Sequence, residues 1–348
     1  MEAPVVDESN PYERRAVSAT YWDGPVLRSV AKVVAGARHV RTSREAIERT
    51  AGWMAYEEFG LPDGGAAGEF DLGSDPDHII DVTMLVAALN FAFTDFDSGV
   101  RFEACYQGRT WSDALGMFAC IDRALSAGVP LLDGEYLASL ARADLQSIFR
   151  GNIEMPMLDE RQEILNEIGV VLVDRYDGRF HHFVRACSPA MYDRGDGLLE
   201  RLVAEFPRFD DTSNYHGADV QILKLAQLGL WTLHMALHST SEWSLADLGM
   251  MTAFADYIVP MALNLMGILE YSPDLESRIA GGVLLDRDSD EEIEIRGHTL
   301  YATALLTDAI NALRPEDRHL VIPQVDYRLW SAYHATFRPH HLTRTTMY

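Results

Sequence analysis

"ADVQILKLAQLGLWTLHMAL", residues 218–237, decides the fold class. From Ile222 onward its apolar residues recur three and four positions apart, the spacing of a helix with a wide buried face. A single ammonium, Lys224, stands in that apolar run. The same period recurs in "YLASLARADLQSIF" (136–149), "DERQEILNEIGVVLVDRY" (159–176) and "HTLYATALLTDAINAL" (298–313), each bounded by Gly, Pro or acidic residues. Short alternating stretches, "VRFEACYQG" (100–108) and "EEIEIRG" (291–297), predict strands, too few for a large sheet. "GLPDGGAAGEFDLGSDPD" (60–77) and "DRDSDEE" (286–292) predict loops, the second of them solvated. These patterns predict a mainly α, compact fold with a small β element. With no internal repeat or long linker, the expected organisation is an N-terminal arm, 1–24, and one domain, 25–348.

The 348 residues, 48% apolar and 24% charged, suffice for a large core. Cys105, Cys120 and Cys187 are scattered and odd in number, which favours neither a disulfide framework nor a zinc site and predicts a reducing, cytoplasmic setting. The opening "MEAPVVDESNPYERR" has no apolar core of a signal peptide. A net charge of −24 repels long polyanions, so long nucleic acid is not an expected partner. A single nucleotide remains compatible, because its phosphate needs only a few donors in a pocket.

The run "MMTAFADYIVPMALNLMG" (250–267) has nearly the length of a membrane span, but it carries Asp256, Pro260 and Asn264. A pair of core helices is the expectation, and no membrane partner. Asp256 is its only formal charge. Burying an ionised carboxylate costs several kcal/mol unless it is paired or hydrogen-bonded. Asp256 is therefore either a structural carboxylate beside a helix break at Pro260 or a catalytic one in an apolar scaffold. Asp326, in "QVDYRLWSAYH", repeats the situation. Two embedded acids, with Lys224, Arg296 and Arg344 as cations, form a kit for cleaving a glycosidic bond in a phosphorylated sugar. His234 and His238 share a helix face at i, i+4, but no third ligand stands at a metal-binding spacing. Neither metal nor cofactor is expected.

"LNFAF", "YQGRTW", "MPMLDERQEILNEIG", "EFPRFDD", "LKLAQ", "FADYIVP", "LEYSPDL", "EIRG", "VDYRLW" and a tail with Pro339, His341, Arg344 and Tyr348 follow in order. With these motifs the chain resembles the queuosine-salvage protein family, the queuosine 5′-phosphate N-glycosylases, from about Val26 to Tyr348. The resemblance implies a helical fold similar to helix-hairpin-helix DNA glycosylases. It also implies hydrolysis of queuosine 5′-monophosphate, or a related modified purine nucleotide, to free base and ribose 5-phosphate. On it, Asp256 and Asp326 are the catalytic acids, and Lys224, Arg296, His341, Arg344 and Tyr348 are substrate or phosphate contacts. Asn90, Phe91, Thr94, Leu115, Thr232, His234 and Tyr257 surround the base. The chain departs from the family at Ala87, Thr94, Ala114, Leu115, Thr232 and His234, where acidic or aromatic residues are expected, and at Asp113, where glycine is. Those departures imply a remodelled base pocket. A nucleotide-binding protein without catalysis is the alternative, and retention of both acids argues against it.

Overall fold

The computed structural model describes residues 21–60, 70, 72–238, 243–336 and 338–348. Among them are fourteen α-helices and four pairings of two short strands, a mainly α fold with a small β element. The chain divides into two compact units. The first is drawn from Met1–Pro62, Asp211–Gln227 and Leu245–Arg344, and the second from Asp63–Asp210, Leu228–Ser244 and Thr345–Tyr348.

The first unit is built on the helix Asp290–Asn311. Ser289 caps it by accepting from the Glu292 N–H, and Asp290, Glu291 and Glu292 place negative charge in its first turn. Helices Pro25–Gly36, Arg44–Met54, Ile258–Leu265 and Ile322–Tyr333 pack around it. A Cβ on Gly297 would lie 3.0 Å from a Val33 methyl, so glycine sets how closely the first of these can approach. Residues 292–300 are all buried. A helix enclosed on every side shows no amphipathic period. This explains why "EEIEIRG" forms helix and not the predicted strand: its alternating charges are inside, each with a partner. "DRDSDEE" is an exposed loop over 286–288, as expected, but its last three residues start the helix and Glu292 is only 1% exposed. Thr299, Thr303 and Thr307 each donate to the carbonyl four residues earlier, which satisfies their hydroxyls within the helix.

The run 250–267 is likewise not a helix pair. Residues 251–257 are irregular and the helix Ile258–Leu265 begins after them. Pro260 therefore sits in the first turn, where its missing N–H is no loss, and does not kink a continuous helix. Strands Val40–Thr42 and Leu269–Tyr271 pair antiparallel, and so do Thr212–Tyr215 and Ala218–Gln221.

In the second unit, the helix Pro76–Leu89 is buried from Ile79 to its end. The predicted strand in "VRFEACYQG" is present as Glu103–Tyr106, paired with Arg109–Ser112 across a turn in which Gln107 and Gly108 both have positive φ. "YLASLARADLQSIF" forms two short helices, Gly134–Ala138 and Arg142–Ile148, and not one. A Cβ on Gly169 would lie 2.2 Å from the Ala138 nitrogen, so the helix Leu158–Arg175 presses its bare backbone on the first of these. Residues 1–20 of the expected arm, and 61–69 and 71 of the expected loop, lie outside the described residues. No helix among the described residues is long and apolar enough to cross a membrane.

Candidate active site

Asp256 and Asp326 belong to the first unit, and the irregular segment 251–257 joins them. Asp326, on the helix Ile322–Tyr333, accepts from the Phe254 N–H through Oδ2 at 2.8 Å. Asp256, two residues further on, accepts through Oδ1 from the N–H groups of Ile258 and Val259, at 2.8 and 3.0 Å. Those are the first two donors of a helix, where an anion is favoured. The second oxygen of each acid makes no hydrogen bond among the described residues. Both side chains are buried, at 8% and 4% exposure. The Asp326 carboxyl is pushed well above the usual carboxylate range, first by burial and then by the Asp256 charge; the Phe254 N–H and Lys224 only partly oppose this.

Lys224 opens the helix Lys224–Leu237 and is 6% exposed. Its ammonium has no hydrogen bond and no ion pair among the described residues. Burial and the Arg296 charge bring it down to about 8 against support from Asp256, Asp326 and Asp211. Immediately before it, Leu223 has φ +53°, a strained value for a branched side chain. Asp211 holds this corner: its carbonyl accepts from Ile222 and Leu223, and its Oδ2 accepts from the Lys224 backbone N–H at 3.1 Å.

Arg296, from the central helix, is 2% exposed. It forms a two-pronged pair with Asp211, at 2.9 and 2.7 Å, and its Nε donates to the Ala255 carbonyl at 3.1 Å. Glu292 lies 3.6 Å away on the next turn. This expected phosphate contact is thus engaged in holding the site. Asp211 and Glu292 are the participants for which the sequence reading assigned no role. The signal for Asp211 was present in the acidic pair ending "EFPRFDD"; Glu292 was hidden by reading its segment as solvated.

His341 is buried, and burial with His340 and Arg296 nearby lowers it to about 3, so the imidazole is neutral at physiological pH. Together with Arg338, Pro339 and His340 it lines a pocket of about 190 Å³ in the first unit. Tyr257 stacks on His340 with ring centroids 4.4 Å apart. Arg344 is exposed, while Tyr348 is buried and belongs to the second unit.

The other expected base contacts all fall in the second unit, in differing environments. Phe91 is fully buried beneath the guanidinium groups of Arg161 and Arg208, at 4.1 and 4.8 Å from the ring centre, which makes it a core residue and not a pocket wall. Asn90 and Leu115 are half-buried, and Thr94 is exposed and bridged to Arg101. Thr232 donates to the Leu228 carbonyl within its own helix. His234 is buried, stacked between Trp231 and His238, and lowered to about 4 by burial and by His238. Ala87 faces Gly229, on which a Cβ would lie 3.0 Å from the Ala87 Cβ.

A helical fold carrying two buried acids, each with one oxygen fixed by backbone N–H groups, beside an ammonium with open valence defines a protein equipped for acid–base chemistry on a small polar substrate. A family model described as queuosine salvage protein matches residues 71–348. The protein named queuosine 5′-phosphate N-glycosylase/hydrolase of Sphaerobacter thermophilus is 33% identical over 326 residues, covering 93% of this chain and 97% of that protein. Proteins of the same name from Schizosaccharomyces pombe and Mus musculus are 31% and 29% identical, covering 72% and 71% of this chain and 73% of each of those proteins. The chain belongs to the queuosine salvage protein family.

Proposed function

We propose that this protein hydrolyses the N-glycosidic bond of a nucleoside 5′-monophosphate, queuosine 5′-monophosphate or a related modified purine nucleotide, to free base and ribose 5-phosphate. The pairing of Asp256 and Asp326 beside Lys224 carries the reading, and family membership supports the substrate class. Their environments divide the work between the two acids. Asp326 holds a proton on its unbonded oxygen and delivers it to the departing base. Asp256, anchored on a helix N-terminus, aligns the attacking water and stabilises the oxocarbenium-like sugar with its charge. Water's hydroxyl ends on the anomeric carbon, its other proton passes to Asp256, and the base leaves with the proton from Asp326; exchange with solvent then returns a proton to Asp326 and frees Asp256. Lys224 offers its ammonium to the bound nucleotide, and Arg344 is a second cation for the phosphate. The segment 25–348 acts in this scheme as one catalytic domain.

The test is incubation with a panel of nucleoside 5′-monophosphates and their dephosphorylated nucleosides, with free base measured by mass spectrometry. Binding energy from a remote phosphate is realised at the reacting carbon, so removing it lowers kcat/KM by orders of magnitude. Tight binding of the whole panel with no base released would instead indicate a binding protein.

A further inference from the structure

We propose that Asp211 is a positioning residue for this site, which through Arg296 and the first turn of the helix Lys224–Leu237 sets where Lys224 and Asp256 stand. The assignment rests on the hydrolytic reading above.

The geometry makes Asp211 a junction. One carboxylate takes both prongs of Arg296, whose remaining Nε holds the Ala255 carbonyl, and Ala255 is the residue before Asp256. The same carboxylate accepts from the backbone N–H of Lys224, and the Asp211 carbonyl fixes the two residues before it. Asp211 is 3% exposed and Arg296 2%. A planar fork pairs with a carboxylate in essentially one orientation, so a shift at Asp211 moves the segment carrying Asp256 and the start of the Lys224 helix together. The strained Leu223 lies between these anchors, where only surrounding contacts hold such a backbone.

Composition sharpens the point. Lys32 and Lys224 are the only lysines in a chain with 29 basic residues, so lysine at 224 stands against a strong habit of arginine. A compact ammonium on a flexible stem needs its surroundings to set both position and charge. The charged groups facing it are Asp256, Arg296, Asp326 and Asp211, with Glu292 behind Arg296. Removing the Asp211 charge withdraws support from the ammonium, which then loses its proton at lower pH.

The experiment uses full-length protein labelled with ¹³C and ¹⁵N in lysine, in which Lys32→Arg identifies the Lys224 signal. In the wild type Lys224 is expected to titrate at about 8. In Asp211→Asn, a nearly isosteric change that keeps an acceptor, it titrates lower. The alkaline limb of kcat moves down with it, and kcat drops about thirtyfold while KM changes little. Asp211→Glu, which keeps the charge, restores the titration. An unmoved Lys224 titration in a folded Asp211→Asn protein overturns the proposal. Arg296→Lys keeps the positive charge but loses the fork, and the expected result is a kcat about tenfold lower at unchanged KM. Wild-type kcat in that variant also overturns the proposal, whether or not Asp211→Asn folds. Because the titration needs no substrate, failure of every nucleotide to react would count against the proposed activity and not against the junction.

Discussion

Two buried cations in this protein are held in opposite ways. Arg161, in the second unit, is fully buried, and its guanidinium donates to the carbonyls of Pro156, Leu89, Phe91 and Ala92. Each of its three nitrogens is engaged, and the loop "LNFAF" is pinned at the end of its helix. Lys224, in the first unit, has no such partner. Burying a charge is costly in both places, but Arg161 is compensated by the chain itself, whereas the Lys224 ammonium has no hydrogen bond or ion pair among the described residues. On the proposed reaction, the saturated ion is structural and the open one is at work.

The largest expected effects fall on the open side. Asp256→Asn and Asp326→Asn should each lower kcat about a thousandfold or more, because Asn can neither take up a proton nor carry charge. Neither change should unfold the protein. For Asp326 the sign can be worked out further. Its folded value is raised, so its contribution to stability is full below about pH 4, where the unfolded carboxyl is also protonated, and is lost as pH rises towards the folded value. Asp326→Asn should therefore melt higher than wild type at neutral pH, with the gap closing in acid. A lower melting temperature at pH 7, with kcat retained, would make these acids as structural as Arg161.

On the saturated side the order reverses. Arg161→Met leaves several buried carbonyls without a donor and should cost about 3 kcal/mol in denaturant unfolding, with turnover per folded molecule within a few fold of wild type. A loss of turnover without loss of stability would erase the contrast. Smaller is the change at Gly169, where alanine needs space held by the Ala138 backbone and should cost about 2 kcal/mol. Lys224→Arg tests the open valence directly. It keeps the charge and should still reduce kcat about tenfold, because the planar guanidinium does not place a point charge. Lys32→Arg is its control and should match wild type.

How legible all this was in the sequence follows the same division. Helices with one buried face, such as Leu158–Arg175, showed their period plainly. The central helix did not, because Glu292, Glu294 and Arg296 are inside with Ile293 and Ile295, and a pattern of alternating charge reads as a strand edge when it is an ion network wound into a core. Asp256 and Asp326 stood out as charges in apolar runs, and both are buried. The part played by Asp211 could not be read in that way. It depends on Arg296, 85 residues further along, and no local pattern reports so distant a partner. Nor could the sequence show that Phe91, an aromatic expected at the base, is a platform for two arginines.

The threonines of the central helix have an evolutionary consequence. Each hydroxyl of Thr299, Thr303 and Thr307 is bonded to the helix that carries it, so the outward surface at those positions is a methyl group. Valine presents nearly the same shape there, and the carbonyl that loses the hydroxyl keeps its own helical partner. These three positions are therefore expected to accept a change of polarity without a change of structure, while Arg296, one turn before Thr299, has its guanidinium paired with a buried carboxylate and is expected not to.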